Sequence, residues 1–284
     1  MTAVLDVSVI VPVRNAELLI DACLASVAAS QPREIIVVDG QSTDATLERA
    51  RRYPVQILSD GGRGLPVARL LGAETASASL VALVDADVVL PPGALEALCD
   101  EFRDGGYVAL QAGLRSTSGP GYWGRALANH HRTGRSKDWF GLAATVFDRQ
   151  RLLDFGFDDR FVSGEDIELR WRLEQAGVRV GVSRRTIVTH RFAGDSFAFA
   201  KDQWLADGLG LGRMVRKHGW RGFWLLALPL LAALRGVTLS LARLQPQWLP
   251  YYACFALYNY AGIGRAFGER WTRPHLLPSM RSDP

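Results

Sequence analysis

The sequence predicts an α/β protein with an open sheet of parallel strands. Three apolar runs rich in β-branched residues carry this prediction, at positions 7–12, 34–40 and 80–85. Because the runs are apolar almost throughout, we expect strands that are buried on both faces, as in parallel sheets. Segments of helical composition separate them, at 16–29 and 44–52. This β-α-β alternation is typical of the fold class.

Shorter signals predict the remaining elements. The segment 55–58 is a fourth strand candidate, and a helix is expected to restart at Ala94 after two prolines and a glycine. From 107 to 147 the periodicity weakens, so we expect a less regular region there. Another helix is predicted over 167–176, and Gly177 ends it.

Length and composition place the chain among ordinary folded proteins. Its 284 residues are 48% hydrophobic and 22% charged, which suffices for one large core and an appendage. The 3 cysteines lie far apart, which favours a reducing compartment over a disulfide framework. The amino-terminal segment lacks a basic stretch followed by an apolar one. We therefore expect no cleaved signal and a site that faces the cytoplasm.

Charge is distributed unevenly along the chain. The formal net charge is +4, but residues 201–284 hold 11 Lys and Arg against 4 Asp and Glu, while residues 1–200 hold 22 against 25. The basic part is also rich in Trp, Tyr and Leu, a combination that suits a surface facing anionic lipid. We therefore expect a membrane, and no nucleic acid, as the partner of this tail.

Polar residues follow each of the three predicted strands. The first strand ends in Pro12 and is followed by Arg14 and Asn15, the second ends near Asp39, and the third ends in Asp85-Ala86-Asp87. Open α/β sheets bind ligands where the carboxyl ends of strands meet helix amino termini. We therefore expect these residues to share one pocket.

Asp85-Ala86-Asp87 places two carboxylates on either side of a small residue. Carboxylates this close repel each other unless a cation lies beside them. A hard divalent ion with oxygen ligands, Mg²⁺ or Mn²⁺, that also binds a diphosphate would meet that need. The alternative is a strand-end turn in which the aspartates only cap backbone groups.

Two further segments suit a nucleotide. Asp39 could accept hydrogen bonds from a base or a ribose, whereas Asp44 is expected to cap the next helix. The loop Gly61-Gly62-Arg63-Gly64 is flexible and cationic, as a phosphate-facing loop would be, and Arg69 follows it one helical turn later. A plain glycine turn is the alternative for this loop.

Glu165 and Asp166 form a second acidic pair, at a helix amino terminus where the helix dipole stabilises negative charge. Either they cap the helix, or they supply the general base that transfer to a hydroxyl requires. His190 follows a β-like segment at 186–189. It either completes a metal shell, contacts phosphates or has a structural role.

Taken together, these motifs resemble those of family 2 glycosyltransferases over about residues 7 to 192. The motifs are Val9-Ile10-Val11-Pro12-Val13-Arg14-Asn15, Val37-Val38-Asp39-Gly40-Gln41-Ser42-Thr43-Asp44-Ala45-Thr46, Ala68-Arg69, Val84-Asp85-Ala86-Asp87 and Gly164-Glu165-Asp166-Ile167-Glu168-Leu169. The resemblance implies a GT-A fold, a nucleotide-diphosphate sugar as donor, with a UDP-sugar favoured, Mn²⁺ or Mg²⁺, and single-displacement transfer with inversion.

The resemblance also implies roles for individual residues. The nucleotide would contact Pro12, Arg14, Asn15, Asp39 and Arg69. The residue patterns described above add Arg63, Asp85 and Ala86 to the expected nucleotide-sugar contacts. Asp85 would meet the ribose or the metal, Asp87 the metal, and Asp166, beside Glu165, would be the base. His190 is a candidate metal ligand from its position at a strand end alone. Arg14 stands where an aromatic residue is common, Leu70 replaces an asparagine, and Glu168 a frequent aspartate. The Gln-x-x-Arg-Trp signature of processive polymerases is missing, so transfer of a single sugar is expected.

The tail contains two apolar segments. Residues 223–234 are apolar but end at Arg235, short of the ~20 residues that a spanning helix needs, and 248–263 is a second, tyrosine-rich piece. They predict in-plane or re-entrant helices at the cytoplasmic leaflet, or else a homodimer interface or a lid on the core. We thus expect a catalytic domain at 1–200, a membrane-associated region at 201–284, and a lipid-linked or glycan acceptor.

Two other functions fit part of the pattern. A sugar nucleotidyltransferase has similar sheet and carboxylate chemistry, but the glycine-rich opening after its first strand is absent here. A catalytically silent, membrane-bound nucleotide-sugar-binding protein would keep the donor pocket. It would not need Asp85, Asp87 and Asp166 together.

Overall fold

A mixed eight-stranded sheet forms the centre of the protein. The computed structural model describes residues 4–134, 140–158, 160–161 and 163–270. The strands are β1 Leu5–Val13, β2 Pro32–Asp39, β3 Gln56–Ser59, β4 Leu80–Val84, β5 Val88–Val89, β6 Ala109–Thr117, β7 Ala144–Asp148 and β8 Val180–Arg191, in the order β3-β2-β1-β4-β7-β6-β8-β5. The pairs from β3 to β4 are parallel, β7 is antiparallel to both of its neighbours, β6 is parallel to β8, and β5 is antiparallel to β8.

Within the described residues, ten α-helices surround this sheet and extend beyond it. They are α1 Ile20–Ala29, α2 Thr46–Ala50, α3 Leu65–Thr75, α4 Ala94–Gly105, α5 Tyr122–Thr133, α6 Arg149–Phe155, α7 Glu165–Gln175, α8 Phe197–His218, α9 Leu228–Ala242 and α10 Leu249–Gly268. Two 3-10 segments, Gly219–Ala227 and Pro246–Trp248, connect the last three helices.

Successive side chains of β1 point to opposite faces of the sheet, and helices cover both faces. Val7, Val9 and Val11 point to one face and pack with α1 and α4, whereas Ile10 points to the other face and packs with α3. Each residue in this part of the strand is fully buried. A strand covered on both faces buries every position, which is why the run is apolar apart from Ser8, whose hydroxyl donates to Glu34 at 2.6 Å.

The predicted β1, β2, β3 and β4 are confirmed, but the expectation of an irregular region at 107–147 was wrong. That region holds β6, α5 and most of β7. Its strands contain small and polar residues such as Gln111 and Thr145, which are fully buried yet give no apolar pattern. Pairing with β4 and β8 therefore determines these strands more than local propensity does. Residues 135–139 of the region lie outside the described residues.

Two helix boundaries also differ from the prediction. The first helix begins at Ile20 rather than near residue 16, because residues 16–19 form a turn in which Leu19 and Ile20 donate to the carbonyl of Ala16. Helix α7 begins at Glu165, two residues before the predicted start. Asp166 thus lies in the first turn of the helix, where four backbone N–H groups lack helical partners.

The carboxyl-terminal helices pack closely on one another through glycines. A Cβ at Gly208 of α8 would collide with the backbone of Asn259 on α10, and one at Gly212 would lie 2.5 Å from the Cβ of Ala266. Helix α8 begins at Phe197, so the predicted domain boundary after residue 200 falls inside its first turns. The division at that residue stays a prediction.

One helical run, Phe197–Ala242, is long and apolar enough to cross a membrane by length and composition, although the sequence prediction placed no such helix there. The run consists of three elements. Gly219 ends α8 with a φ of 58°, and Gly222 packs back against Met214 and Val215. The apolar α9 has 15 residues, which span about 22 Å, less than the ~30 Å hydrocarbon core.

Candidate functional site

The acidic motif Asp85-Ala86-Asp87 forms the turn between β4 and β5. The backbone N–H of Asp85 donates to the carbonyl of Ala143 at 2.8 Å, and the carbonyl of Asp87 accepts from the N–H of Arg191, also at 2.8 Å. Strands on both sides therefore hold the turn. The three residues of the motif are each partly exposed, including the predicted donor contact Ala86, whereas Val84 and Val88 on either side are buried.

Arg69 joins the first aspartate of this turn to the start of α7. Its guanidinium donates to Asp85 and to Glu165, each at 2.9 Å, and the side chain is only 2% exposed. Burial raises the pKa of Asp85, and the guanidinium opposes that rise. A buried arginine is tolerated only when carboxylates compensate its charge. Arg69 and Glu165 therefore organise the site, and the structure gives Glu165 the role of an ion-pair partner.

Asp87 lies beside His190 because β5 pairs with β8. Val88 is opposite His190 in that pairing, and the Nε2 atom of His190 lies 3.1 Å from Oδ2 of Asp87. Burial lowers the pKa of His190, but the hydrogen bond and charge of Asp87 outweigh it, so the pKa is raised. The Oδ1 atom of Asp87 and the Nδ1 atom of His190 are both buried without a hydrogen-bond partner among the described residues.

Such buried, unsatisfied oxygen and nitrogen atoms fit a divalent cation. Within the described residues, no group of three His, Cys, Asp or Glu side chains is arranged to hold a metal by itself. Mg²⁺ and similar ions are commonly bound by one or two carboxylates together with substrate phosphates. Asp87 and His190 therefore fit a metal whose shell a bound diphosphate would complete.

Asp166 lies in the first turn of α7, beside the Arg69 cluster. One carboxylate oxygen accepts from the N–H of Ile167 at 2.8 Å, and a Cβ at Gly141 would lie 3.3 Å from the other. Burial raises the pKa of Asp166 to about 7, and the charge of Glu165 adds to the rise. A carboxylate with a pKa near neutrality is suited to accept a proton at physiological pH.

The segments that follow β1 and β2 are tied to each other. The N–H of Asn15 donates to the hydroxyl of Ser42 at 3.0 Å, and its side-chain oxygen accepts from the N–H of Thr43 at 2.8 Å. Asp39 is buried and accepts from the N–H of Ser42 at 3.1 Å. Asn15 and Asp39 thus hold the segments that follow β1 and β2 in place. The predicted nucleotide contacts of both residues stay predictions.

The other three predicted donor contacts outside the Arg69 cluster and the acidic motif differ in exposure. Pro12 is buried within β1, which continues to Val13, whereas Arg14 is exposed. Arg63 is exposed, and its Nε donates to the carbonyl of Asp60 at 2.8 Å. The structure thus leaves both arginine side chains available to an anion.

Sequence reasoning missed three residues around the site. Asp60 is buried and accepts from the N–H groups of Gly62 and Gly64 at 2.7 and 3.0 Å, which fixes the glycine loop. An aspartate directly before two glycines is a turn signal that could have found it. Gln111 is buried and accepts from the N–H of Gly141 at 2.6 Å, and Asp207 lies on α8. No local signal points to these two.

Glu168, the departure from the family pattern, has a structural role. It is fully buried, and Lys217 of α8 lies 2.5 Å from one of its oxygens. Arg172 also pairs with it at 2.9 Å, and Lys217 bonds Asp158 at 2.6 Å. This buried charge network fixes α8 against α7 and so holds α8 near Asp166.

Comparison with known proteins identifies the family of this chain. Residues 8–161, just over half of the chain, match the model of glycosyl transferase family 2. Polypeptide N-acetylgalactosaminyltransferase 3 of Drosophila melanogaster is 27% identical over 250 residues, covering 72% of this chain but only 38% of that relative. An uncharacterized glycosyltransferase of Mycobacterium bovis is 32% identical over 182 residues, covering 61% of this chain and 81% of that protein.

The fold is similar to that of a mannosyltransferase from Pyrobaculum calidifontis in complex with GDP-Man and Mn²⁺. The TM-score is 0.66 at 20% identity, with 94% of this chain and 88% of that chain covered. The eight-stranded mixed sheet with its flanking helices matches the GT-A fold. The chain therefore belongs to glycosyl transferase family 2.

Proposed function

We propose that this protein transfers one sugar from a nucleotide-diphosphate sugar to a hydroxyl group of its acceptor, with inversion at the anomeric carbon. The position of Asp166 carries the proposal. Its carboxylate has a pKa near 7 and lies in the first turn of α7 next to Glu165, which Arg69 links to the Asp85 turn. A carboxylate that can accept the proton of the acceptor hydroxyl is what a single displacement requires.

Different residues act on the acceptor and on the donor. Asp166 takes the proton of the acceptor hydroxyl as that oxygen attacks, while Arg63 and Arg14 face the donor phosphates. Asp87 and His190 would hold Mn²⁺ or Mg²⁺, which supplies positive charge to the leaving diphosphate. The sugar-phosphate bond breaks as the new glycosidic bond forms, and the nucleoside diphosphate leaves.

The donor class can be tested by thermal shift. UDP- and GDP-sugars are compared, the latter because the similar mannosyltransferase is described with GDP-Man, each with and without Mn²⁺. We expect one of them to raise the melting temperature in a metal-dependent way, since a ligand that binds only the folded state stabilises it. Stabilisation without turnover would favour a silent nucleotide-sugar-binding protein. No stabilisation by any nucleotide sugar would contradict the proposal.

We further propose that the tail lies on the cytoplasmic leaflet and that the acceptor is lipid-linked or a glycan. Large apolar side chains are exposed on the 3-10 segment and on α9, namely Trp220, Phe223, Trp224, Leu230, Leu231 and Leu234. Arg221 is also exposed, and its guanidinium lies 5.9 Å from the centre of the Trp220 ring. Aromatic, aliphatic and cationic groups on one surface suit an anionic bilayer interface.

Replacing Trp220 and Phe223 together by serine tests this surface. The two rings are 84% and 65% exposed, so the fold should be kept while binding to vesicles containing phosphatidylserine weakens by at least about tenfold. Leu18→Ser is the matched control, because Leu18 is 81% exposed but precedes α1. A wild-type protein that stays in the supernatant at low salt and sediments as a dimer would instead indicate a homodimer interface.

A further inference from the structure

Asp207 is an unpaired carboxylate in the middle of α8. Its side chain is exposed, although Gly208, Gly210 and Leu211 next to it are buried. Within the part of the chain that the structure describes, it has neither a hydrogen-bond nor an ion-pair partner. It is too far from either end of the helix to cap it. An acidic side chain with no structural role in its own helix invites a functional explanation.

Two contacts bring this part of α8 against the turn that precedes α7. The hydroxyl of Ser163 donates to the carbonyl of Ala206 at 2.8 Å. One turn later, a Cβ at Gly164 would lie only 2.9 Å from the Cα of Gly210. The turn at 163–164 leads directly into Asp166, so both contacts fix α8 beside the proposed base. Asp207 lies between them in sequence, next to Ala206.

The electrostatics agree with this placement. Burial raises the pKa of Asp207 to about 7, and its charge adds to the raised pKa of Asp166 on α7 and of Tyr251 on α10. The other charged groups that act on Asp166 are Glu165 and Arg69. The carboxylate of Asp207 is therefore open to water while it lies close to Asp166.

We propose that Asp207 positions the acceptor by accepting a hydrogen bond from a hydroxyl that neighbours the one Asp166 deprotonates. This inference rests on the proposed transfer reaction and names its acceptor class. Two carboxylates this close together repel a phosphate or carboxylate group. Neighbouring hydroxyls of a sugar can donate to both. The site therefore selects a neutral polyhydroxy acceptor, such as the terminal sugar of a glycan or glycolipid, over an anionic one.

Asp207→Asn, made in the full chain, tests the proposal with the donor found by thermal shift. The acceptors are methyl glucopyranoside, methyl galactopyranoside and methyl mannopyranoside, with glycerol 3-phosphate as the anionic probe. We expect the wild type to use a neutral glycoside, and the variant to raise the acceptor KM roughly tenfold, the effect of losing a hydrogen bond to a charged group. The donor KM is expected to change far less. Asp207→Glu should recover part of the loss.

A second readout needs only water as the acceptor. Removing the negative charge of Asp207 lowers the pKa of Asp166, so the acidic limb of the pH profile for donor hydrolysis moves to lower pH in Asp207→Asn. Asp202→Asn is the matched control, because Asp202 is exposed on the same helix but five residues earlier. It should leave both the limb and the acceptor KM unchanged.

Each outcome has a defined meaning. Wild-type preference for glycerol 3-phosphate overturns the assignment, as does an Asp207→Asn protein with the wild-type limb and acceptor KM. If the wild type uses no glycoside, the test depends on donor hydrolysis alone: the acidic limb of its pH profile must lie at lower pH in Asp207→Asn than in the wild type. A wild-type protein that neither binds nor hydrolyses any donor counts against the proposed transfer reaction itself.

Discussion

Asp166→Asn should lower the rate of transfer by roughly 10²–10⁴-fold, the contribution of a general base. Asparagine keeps the shape of the side chain but cannot accept the proton. The Arg69 links to Asp85 and Glu165 do not involve Asp166, so donor binding should persist. Steady-state kinetics combined with the donor-induced thermal shift separates the two effects. Glu174→Gln, which removes a partly exposed carboxylate from the last turn of α7, is the control.

The pH dependence follows from the same side chain. Because the base must be ionised and its pKa is about 7, wild-type transfer should rise with pH up to about 7 and level off above it. The raised pKa also affects stability. The protonated carboxyl is favoured in the folded state, so its stabilising contribution is complete below the ordinary value of 3.8 and is lost as the pH rises through about 7.

Asp166→Asn should therefore melt above the wild type at pH 8 and close to it at pH 3.5. A variant that gains stability while it loses activity is what a trade-off between stability and activity at a catalytic residue predicts. A variant that is inactive and also less stable at pH 8 would indicate a structural role for Asp166. Full transfer activity in that variant would exclude it as the base.

Asp87→Ala should abolish metal-dependent transfer, with a loss of at least about 10³-fold. The substitution removes one of the two side chains that fit the cation and also leaves His190 without its carboxylate partner, 3.1 Å away. Mutating a residue that only hydrogen-bonds a metal ligand lowers metal affinity or activity roughly 10–100-fold. Losing a ligand itself should lower activity more. We also expect the Mn²⁺-dependent part of the donor-induced thermal shift to disappear, which reports on binding independently of turnover.

Asp100→Asn provides the control for Asp87→Ala, because Asp100 is an exposed aspartate on α4. Its transfer rate and its response to Mn²⁺ should match those of the wild type. Full transfer by Asp87→Ala with the metal chelated would contradict the central mechanism. In that case positive charge from Arg63 and Arg14 would have to stabilise the leaving diphosphate without a cation.

Short-range patterns in the sequence were enough to predict the first half of the sheet. The runs that became β1, β2 and β4 are apolar at nearly every position, because helices cover both faces of these strands. Asp85-Ala86-Asp87 and Asp166 were found because the chemistry of each motif is carried by adjacent residues. The second half of the sheet was missed. The strands β6 and β7 bury Gln111 and Thr145, and the backbone of the distant Gly141 satisfies both side chains at 2.6 and 3.0 Å.

The sequence by itself determined the fold class, the family and the residues of the acidic motifs, since periodicity and local spacing encode them. Only the tertiary structure decided which of those residues act together. The guanidinium of Arg69 connects residues 16 and 96 positions away, and the pairing of β5 with β8 sets His190 beside Asp87. Helix α8 brings Asp207 close to Asp166 through contacts of Ala206 and Gly210 with Ser163 and Gly164. Such contacts depend on the packing of distant segments, and no local pattern records them.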